Sequence, residues 1–171
     1  SLVSRDIFFS SANFTSMAYQ IPEIAILSIA VMLSMLTGGI DLSIVAISNA
    51  AALVAAWIMT TKMGESETLS YSWIIIACVV GTLVGLAAGA VNSIIIARLD
   101  VTPILATLAT GTLFNGIAIG ITDGVSVSGL PENFMRVGNG TFLGIPTPFV
   151  LMVVIALAVG YFINRTTLGL K

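Results

Sequence analysis

The feature that most constrains this chain is an apolar run over residues 21–61 that is interrupted once, at residues 36–43. A helix crosses a bilayer in about 20 residues, so a run of about 40 residues has to turn within itself. Gly38 and Gly39 can adopt the left-handed conformation that ends a helix. Asp41 and Ser43 carry oxygens that can accept hydrogen bonds from the free N–H groups of the next helix. We therefore predict two membrane-spanning helices joined by a turn here.

Two roles for this turn remain open from the residues alone. It can be a well-capped connection, in which the negative charge of Asp41 lies at the positive end of the following helix dipole. Alternatively, it can be a broken helix or contact loop at which a membrane protein works. The residue types Gly38, Gly39, Asp41 and Ser43 suit both roles, so we treat them as a turn with a possible part in energy coupling.

Composition places the rest of the chain in the membrane as well. The sequence is 57% hydrophobic and 8% charged, with a mean hydropathy of +1.10. Its six basic and eight acidic residues lie at segment ends or in connections, as expected where a charge at the bilayer centre costs several kcal/mol. We predict an all-α, polytopic transmembrane helical bundle that forms one membrane domain over residues 1–171. The expected spans are residues 21–37, 44–61, 73–97, 104–121 and 149–163.

The first span is expected to begin at Pro22, because proline suits the first turn of a helix. Residues 1–20 then form a connection, with aromatic side chains near the lipid headgroups. The long hydrophilic stretch at residues 122–148 is expected to be a periplasmic loop. A connection of this length is usually functional or separately structured, so it is either a docking surface or a passive loop.

Several function classes are excluded by what the sequence lacks. Histidine is absent and Cys78 is the only cysteine, so neither a Cys/His metal site nor a disulfide within the chain is expected. No basic cluster indicates a nucleic-acid partner. No glycine-rich phosphate loop ending in Lys-Ser/Thr is present, so the chain itself should not hydrolyse ATP. We expect no cofactor, no metal, no catalytic residue and no enzymatic activity.

One stripe of small residues marks the third span. Its members recur every four residues and share one helix face, which predicts close packing against another helix. The stripe consists of Ala77, Gly81, Gly85, Gly89 and Ser93.

Polar side chains within the spans are the candidates for a substrate pathway. They are Asn92, Thr107, Thr110 and Asn115. Asn92 can instead hydrogen-bond another helix, and a threonine hydroxyl can bond a carbonyl of its own helix. Both alternatives stay open.

Orientation is decided only weakly by charge. Counting spans divides the basic residues evenly between the two sides, so the positive-inside rule gives a tie. The side with short connections and with Arg98 and Arg165 at helix ends is placed in the cytoplasm, together with the turn at Gly39 and Asp41.

Several motifs follow one another in an order that resembles a known family. Residues 38–43, Gly-Gly-Ile-Asp-Leu-Ser, are similar to the T-[SG]-G-I-D-L-S motif of bacterial ABC-importer permeases of the ribose, or monosaccharide, type. Gly-Ala-Val-Asn at 89–92, Thr-Pro-Ile-Leu-Ala-Thr-Leu at 102–108, Leu-Gly-Ile-Pro-Thr-Pro at 143–148 and Thr-Leu-Gly at 167–169 resemble further motifs of this family. The resemblance covers essentially the whole chain and departs from the family pattern at Ser93 and Leu170.

The resemblance implies a multi-pass permease subunit in the bacterial inner membrane. Such a subunit forms the translocation pathway for a monosaccharide and works with a cytoplasmic ATP-binding subunit, a periplasmic sugar-binding protein and a second permease subunit, as a homodimer or heterodimer. Family members are about twice this length, so the chain resembles about half of one. The alternative is a secondary carrier or channel subunit for a small polar solute. Ion-coupled carriers commonly place acids or histidines within their spans, and no such residue lies mid-span here.

Overall fold

Five long apolar helices dominate the computed structural model, which describes residues 11–63, 69–142 and 144–165. A sixth, short helix and a two-stranded antiparallel hairpin lie between the last two of them. The elements are α1 (Ser11–Leu36), α2 (Ile44–Met63), α3 (Tyr71–Leu99), α4 (Pro103–Thr122), α5 (Glu132–Asn139), β1 (Thr141–Phe142), β2 (Ile145–Pro146) and α6 (Thr147–Arg165). All helices except α5 are long and apolar enough to cross a membrane. The predicted all-α, membrane-spanning class is confirmed.

The first helix differs from the prediction. Its described part already includes Ser11, so it starts before Pro22, which lies buried inside it. An internal proline removes one backbone hydrogen bond, but membrane helices tolerate this loss where neighbouring groups compensate. The extension before Pro22 is held by tertiary contacts, since the Tyr19 hydroxyl donates to the carbonyl oxygen of Asn139 at 2.9 Å. The other four long helices begin and end within two residues of the expected spans.

The chain divides into two compact units. One contains the described residues of Ser1–Leu36 and Arg136–Lys171, where α1 packs against α6 and both contact the hairpin. The other is Thr37–Met135. In this second unit α2 packs against both α3 and α4, so α2 is its central helix.

A small core forms in the second unit where α2 ends and α3 begins. Met59, Leu69 and Ala77 are buried there, and Leu130 and Phe134 pack against them. The Asn133 side chain donates to the Leu69 carbonyl oxygen and accepts from the Leu69 N–H. Part of the stretch after α4 is therefore anchored to the start of α3.

Two further features mark this end of the unit. The Lys62 ammonium lies 5.1 Å from the centre of the Trp73 ring, which links the end of α2 to the start of α3. Asp123 ends α4 with a left-handed φ of 51°, and its N–H donates to the Ile119 carbonyl oxygen. The region predicted as a loop at residues 122–148 thus contains secondary structure of its own, namely α5 and the hairpin.

Candidate functional site

The interruption predicted at residues 36–43 is a turn between α1 and α2. Gly38 has a φ of +88°, which is the left-handed conformation expected of a residue that ends a helix. Gly39 lies against the first residue of α4: a Cβ atom added to Gly39 would lie 3.1 Å from the Cβ of Pro103. Any larger residue at position 39 would push the turn away from α4.

Asp41 caps the turn differently from the prediction. Its Oδ1 accepts hydrogen bonds from the Ser43 N–H, at 2.8 Å, and from the Ser43 hydroxyl. Ser43 directly precedes α2, and its carbonyl oxygen accepts the Ile47 N–H at 2.8 Å. The carboxylate therefore fixes the residue before the helix instead of bonding the N–H groups of the helix's first turn.

Ser43 is the centre of a buried polar cluster. Its hydroxyl is fully buried, donates to Asp41 and accepts from the Asn92 Nδ2 at 2.6 Å. Asn92 is only 3% exposed, and its Oδ1 has no hydrogen-bond partner within the described part of the chain. A Cβ added to Gly111 would lie 3.2 Å from the Ser43 Cα. The beginning of α2, the far end of α3 and the middle of α4 meet at this serine.

Thr107 attaches the turn to α4. Its Oγ1 accepts the Leu42 N–H at 3.1 Å and donates to the Pro103 carbonyl oxygen at 2.8 Å. We call Asp41, Ser43, Asn92 and Thr107 the turn cluster. Asn92 links α3 to the turn, and Thr107 bonds both the turn and the Pro103 and Ile104 carbonyl oxygens of its own helix.

The structure separates the four candidate pathway residues. Asn92 and Thr107 belong to the turn cluster, and Thr110 is buried and donates to the Ala106 carbonyl oxygen at 3.0 Å. Asn115 does not join them, because it is exposed and lines a cavity elsewhere. Asn92 thus hydrogen-bonds a residue outside its own helix, and the hydroxyls of Thr107 and Thr110 bond carbonyl oxygens of their own helix. A pathway role for the four residues stays a prediction.

This cavity lies between α2 and α4 and has a volume of about 460 Å³. We call it the amide cleft, because each helix contributes one asparagine. Residues 124–127 contribute to its lining beyond the end of α4. The helical residues are Asn49, Ala52, Leu53 and Ala56 from α2, and Asn115, Ala118, Ile119 and Thr122 from α4. A second cavity of about 510 Å³ shares Leu53, Thr122 and residues 125–127 with it and is also lined by Trp57.

Asn49 was missed by the sequence reasoning, although a signal was present. Both helices carry asparagine, then alanine three residues later, a branched apolar residue after four and a small or polar residue after seven. Residues with this spacing share one helix face. The repeat of the pattern in α2 and α4 could have identified two matching faces.

The small-residue stripe makes close contact over only part of its length. A Cβ added to Gly81 would lie 2.8 Å from the Ala51 carbonyl oxygen, whereas one added to Gly85 would lie 3.8 Å from the Ala51 Cβ. Ala77 is fully buried. At Gly89, an added Cβ would meet nothing within 4 Å among the described residues. Ser93 is exposed, and its hydroxyl donates to the Gly89 carbonyl oxygen of its own helix. The packing role predicted for these last two positions stays a prediction.

Metal binding finds no support in the described ranges, which contain no group of three or more His, Cys, Asp or Glu residues placed to hold an ion. The chemistry available at both polar regions is hydrogen bonding by amides, hydroxyls and backbone groups.

Comparison with known proteins identifies the class. Residues 13–171 match the family described as "Branched-chain amino acid transport system / permease component", so the chain belongs to this family of transport permeases. Among curated proteins it is 33% identical over 165 residues to a ribose import permease of Bacillus subtilis (strain 168), covering 95% of this chain and 48% of that protein.

Two further relatives extend the comparison. A D-allose transport system permease of Escherichia coli (strain K12) is 29% identical, with 98% of this chain and 49% of that protein covered. An autoinducer 2 import system permease of Photorhabdus luminescens is 27% identical, with 95% and 46% covered. No solved structure matches at a significant level. The chain spans about half the length of the curated relatives it matches, and the resemblance to ribose-type permeases is confirmed.

Proposed function

We propose that this chain is part of the membrane-spanning permease subunit of an ATP-driven, binding-protein-dependent importer for a monosaccharide. The observation that carries the proposal is the similarity to ribose and D-allose permeases over 95–98% of the chain. Five helices long enough to cross a membrane are compatible with a translocation subunit. The relatives are transport permeases rather than enzymes, so the subunit moves solute and performs no chemistry on it.

The proposed partners follow from the same relationship. A separate cytoplasmic subunit hydrolyses ATP, a periplasmic protein delivers the sugar, and a second permease subunit completes the pathway in the bacterial inner membrane. The absence of a phosphate-binding loop from the sequence supports the separation of ATP hydrolysis from this chain.

The turn between α1 and α2 is the proposed contact for energy coupling on the cytoplasmic side. Its position is fixed by hydrogen bonds to α3 and α4 through the turn cluster. A turn held in this way moves together with the helices that hold it, so a push on the turn displaces α3 and α4 rather than bending a loose loop. Asp41 is partly exposed, so a partner that reaches the turn could contact it.

Transport by the complete permease tests the proposal. The purified permease is reconstituted in vesicles with its ATPase and binding protein, and uptake of radiolabelled D-ribose and D-allose is measured with and without ATP. ATP-dependent uptake that requires both partners supports the importer. Uptake that follows an ion gradient and needs neither ATP nor the ATPase would identify a secondary carrier instead.

Topology provides an independent check. A cysteine introduced as Asn139→Cys, in a Cys78→Ser background, should react with a membrane-impermeant thiol reagent added outside intact cells, because Asn139 is exposed near the end of α5. Reaction only after the inner face is opened would invert the orientation and remove the proposed cytoplasmic position of the turn.

A further inference from the structure

The amide cleft places two asparagines in unusual surroundings. Asn49 lies in the second turn of α2 and Asn115 in the fourth turn of α4, both within segments apolar enough to span a membrane. Both side chains are exposed, and both line the same cavity. Two polar side chains from separate helices thus converge on one open volume.

Lipid is an unfavourable neighbour for this pair. An amide that faces hydrocarbon without a hydrogen-bond partner loses its interaction with water and gains nothing in return. Among the described residues neither amide takes part in a hydrogen bond, in contrast to Asn92, which is buried and bonds Ser43. The cleft is therefore suited to contact with water or with a polar solute.

The lining also limits the charge of that solute. Among the residues that line the cleft are two amides and the hydroxyls of Thr122 and Ser126, and none of them is charged. A zwitterionic solute would lose water from an ammonium and a carboxylate group without gaining a charged partner. An amide both donates and accepts hydrogen bonds, which matches a hydroxyl group. Leu53 and Ile119 offer apolar surface to the C–H groups of such a solute.

We propose that the amide cleft binds an uncharged, polyhydroxylated solute during its passage, with Asn49 and Asn115 as the two residues that hydrogen-bond its hydroxyl groups. The volume of about 460 Å³ is within the range of small-molecule sites. This inference rests on the proposed transport function. It adds to that function a location in the molecule and a second residue, Asn49, beside the candidate Asn115. It also gives a reason why a neutral sugar passes in preference to an amino acid.

Water accessibility is the first test. Asn49→Cys and Asn115→Cys are made separately in the complete permease, in a Cys78→Ser background, and treated with a small hydrophilic methanethiosulfonate reagent. The matched control is Leu86→Cys, since Leu86 is 65% exposed on α3 among apolar neighbours. Both cleft cysteines should react at least about tenfold faster than the control. Rates equal to the control would mean that lipid or another helix covers the cleft, and would overturn the inference.

Transport by conservative variants is the second test. Asn115→Asp and Asn49→Asp keep the side-chain size but remove the N–H donors and add charge, so each should lower ATP-dependent D-ribose uptake per assembled complex by about tenfold, the effect of losing one or two hydrogen bonds. ATP hydrolysis stimulated by loaded binding protein should change less than twofold. Thr82→Val, on α3 and outside the cleft, should leave uptake unchanged. Wild-type uptake in both aspartate variants would overturn the inference.

The two tests also separate this inference from the proposed function. If the wild-type protein shows no ATP-dependent sugar uptake, the proposed function fails, and the labelling rates still report whether the cleft is aqueous. If the wild type transports sugar and the cleft cysteines do not react, the proposed function stands and the cleft is not part of the pathway.

Discussion

The two sides of α2 differ in how closely they contact their neighbours. Towards α3, the helices touch where Gly81 lies against Ala51 and Ala55. Towards α4, contact occurs where Gly111 lies against Ser43, the residue before α2. Farther along, α2 and α4 leave the amide cleft, which Asn49 and Asn115 line. One face of the central helix is packed, and the other is packed only at its beginning.

This difference shows that small side chains do not decide packing by themselves. Alanines of α2 lie on both sides, since Ala51 and Ala55 contact α3 whereas Ala52 and Ala56 line the cleft. Close contact occurs where a glycine of the neighbouring helix meets the backbone of α2 or of the residue before it. Farther along, where α2 and α4 do not touch, Asn49 and Asn115 are among the residues that line the open cleft.

The largest effect is expected at the contact with α3. Gly81→Leu should prevent α2 and α3 from approaching, because even a Cβ would lie 2.8 Å from a backbone oxygen that cannot move freely. We expect the free energy of unfolding to fall by about 3 kcal/mol or more. Size-exclusion chromatography in detergent should then show less assembled protein. Val79→Leu on the same helix is the control and should be tolerated, since Val79 is 52% exposed and lies outside the stripe. Equal yields of the two variants would contradict the packed contact.

The corresponding contact with α4 should be the next most sensitive. In Gly111→Leu the new side chain would displace Ser43, because a Cβ at position 111 would already lie 3.2 Å from the Ser43 Cα. We expect destabilisation of about 1–3 kcal/mol, measured by thermal unfolding in detergent. Gly116→Leu, on the same helix with nothing within 4 Å of an added Cβ among the described residues, should unfold close to the wild-type temperature. A greater loss at position 116 than at 111 would reverse the comparison.

The hydrogen bonds of the Ser43 hydroxyl, at the place where α4 contacts the start of α2, are tested by Ser43→Ala. The change removes the acceptor of the Asn92 Nδ2 and one of the two donors to Asp41. A buried amide left without a partner costs about 1–3 kcal/mol, so the unfolding temperature should fall. Ser48→Ala, in the first turns of α2, removes a hydroxyl that bonds only the Val45 carbonyl oxygen and should change stability by less than about 0.5 kcal/mol. An unchanged unfolding temperature for Ser43→Ala would mean that the turn cluster adds no stability.

The smallest effect on stability is expected for Asp41→Asn. Asparagine keeps an oxygen for the Ser43 N–H and hydroxyl, so only the charge-dipole contribution of about 0.3–1 kcal/mol is lost. Asp41→Ala loses both bonds and should cost about 0.5–2 kcal/mol. If the turn couples to the ATPase through its charge, Asp41→Asn should lower ATP hydrolysis stimulated by loaded binding protein, normalised to assembled complex. Stimulation at the wild-type level would leave Asp41 with a structural role only.

Hydropathy and helix-ending residues predicted the long helices well because both signals are local. The positions of the turn at Gly38 and of the start of α4 at Pro103 follow from single residues with restricted or unusual backbone conformations. The prediction that the first helix begins at Pro22 failed because it also used a local signal. The preference of proline for the first turn of a helix was outweighed by contacts such as that of Tyr19 with Asn139. Contacts between residues 120 positions apart cannot be seen in a local pattern.

The candidate site was predictable in part. The sequence identified Asp41, Ser43, Asn92 and Thr107 as polar residues of interest, but not that they bond one another, because their grouping depends on how three helices meet. Asn49 lay in a span dominated by alanine, and it stands out only because it lines the same cavity as Asn115. Polarity within a span can be seen in the sequence, whereas burial and partners cannot.

The positions of the two tryptophans, the only ones in the chain, give the protein built-in optical reporters. Trp57 is 64% exposed and lines the cavity beside the amide cleft, whereas Trp73 lies beneath the Lys62 ammonium. Within residues 1–171, replacing Trp73 by phenylalanine leaves Trp57 as the one indole, and its emission wavelength follows the polarity of the cavity that it lines. Fluorescence of that variant therefore offers a way to follow, without any attached dye, whether this part of the molecule becomes wetter or drier as transport proceeds.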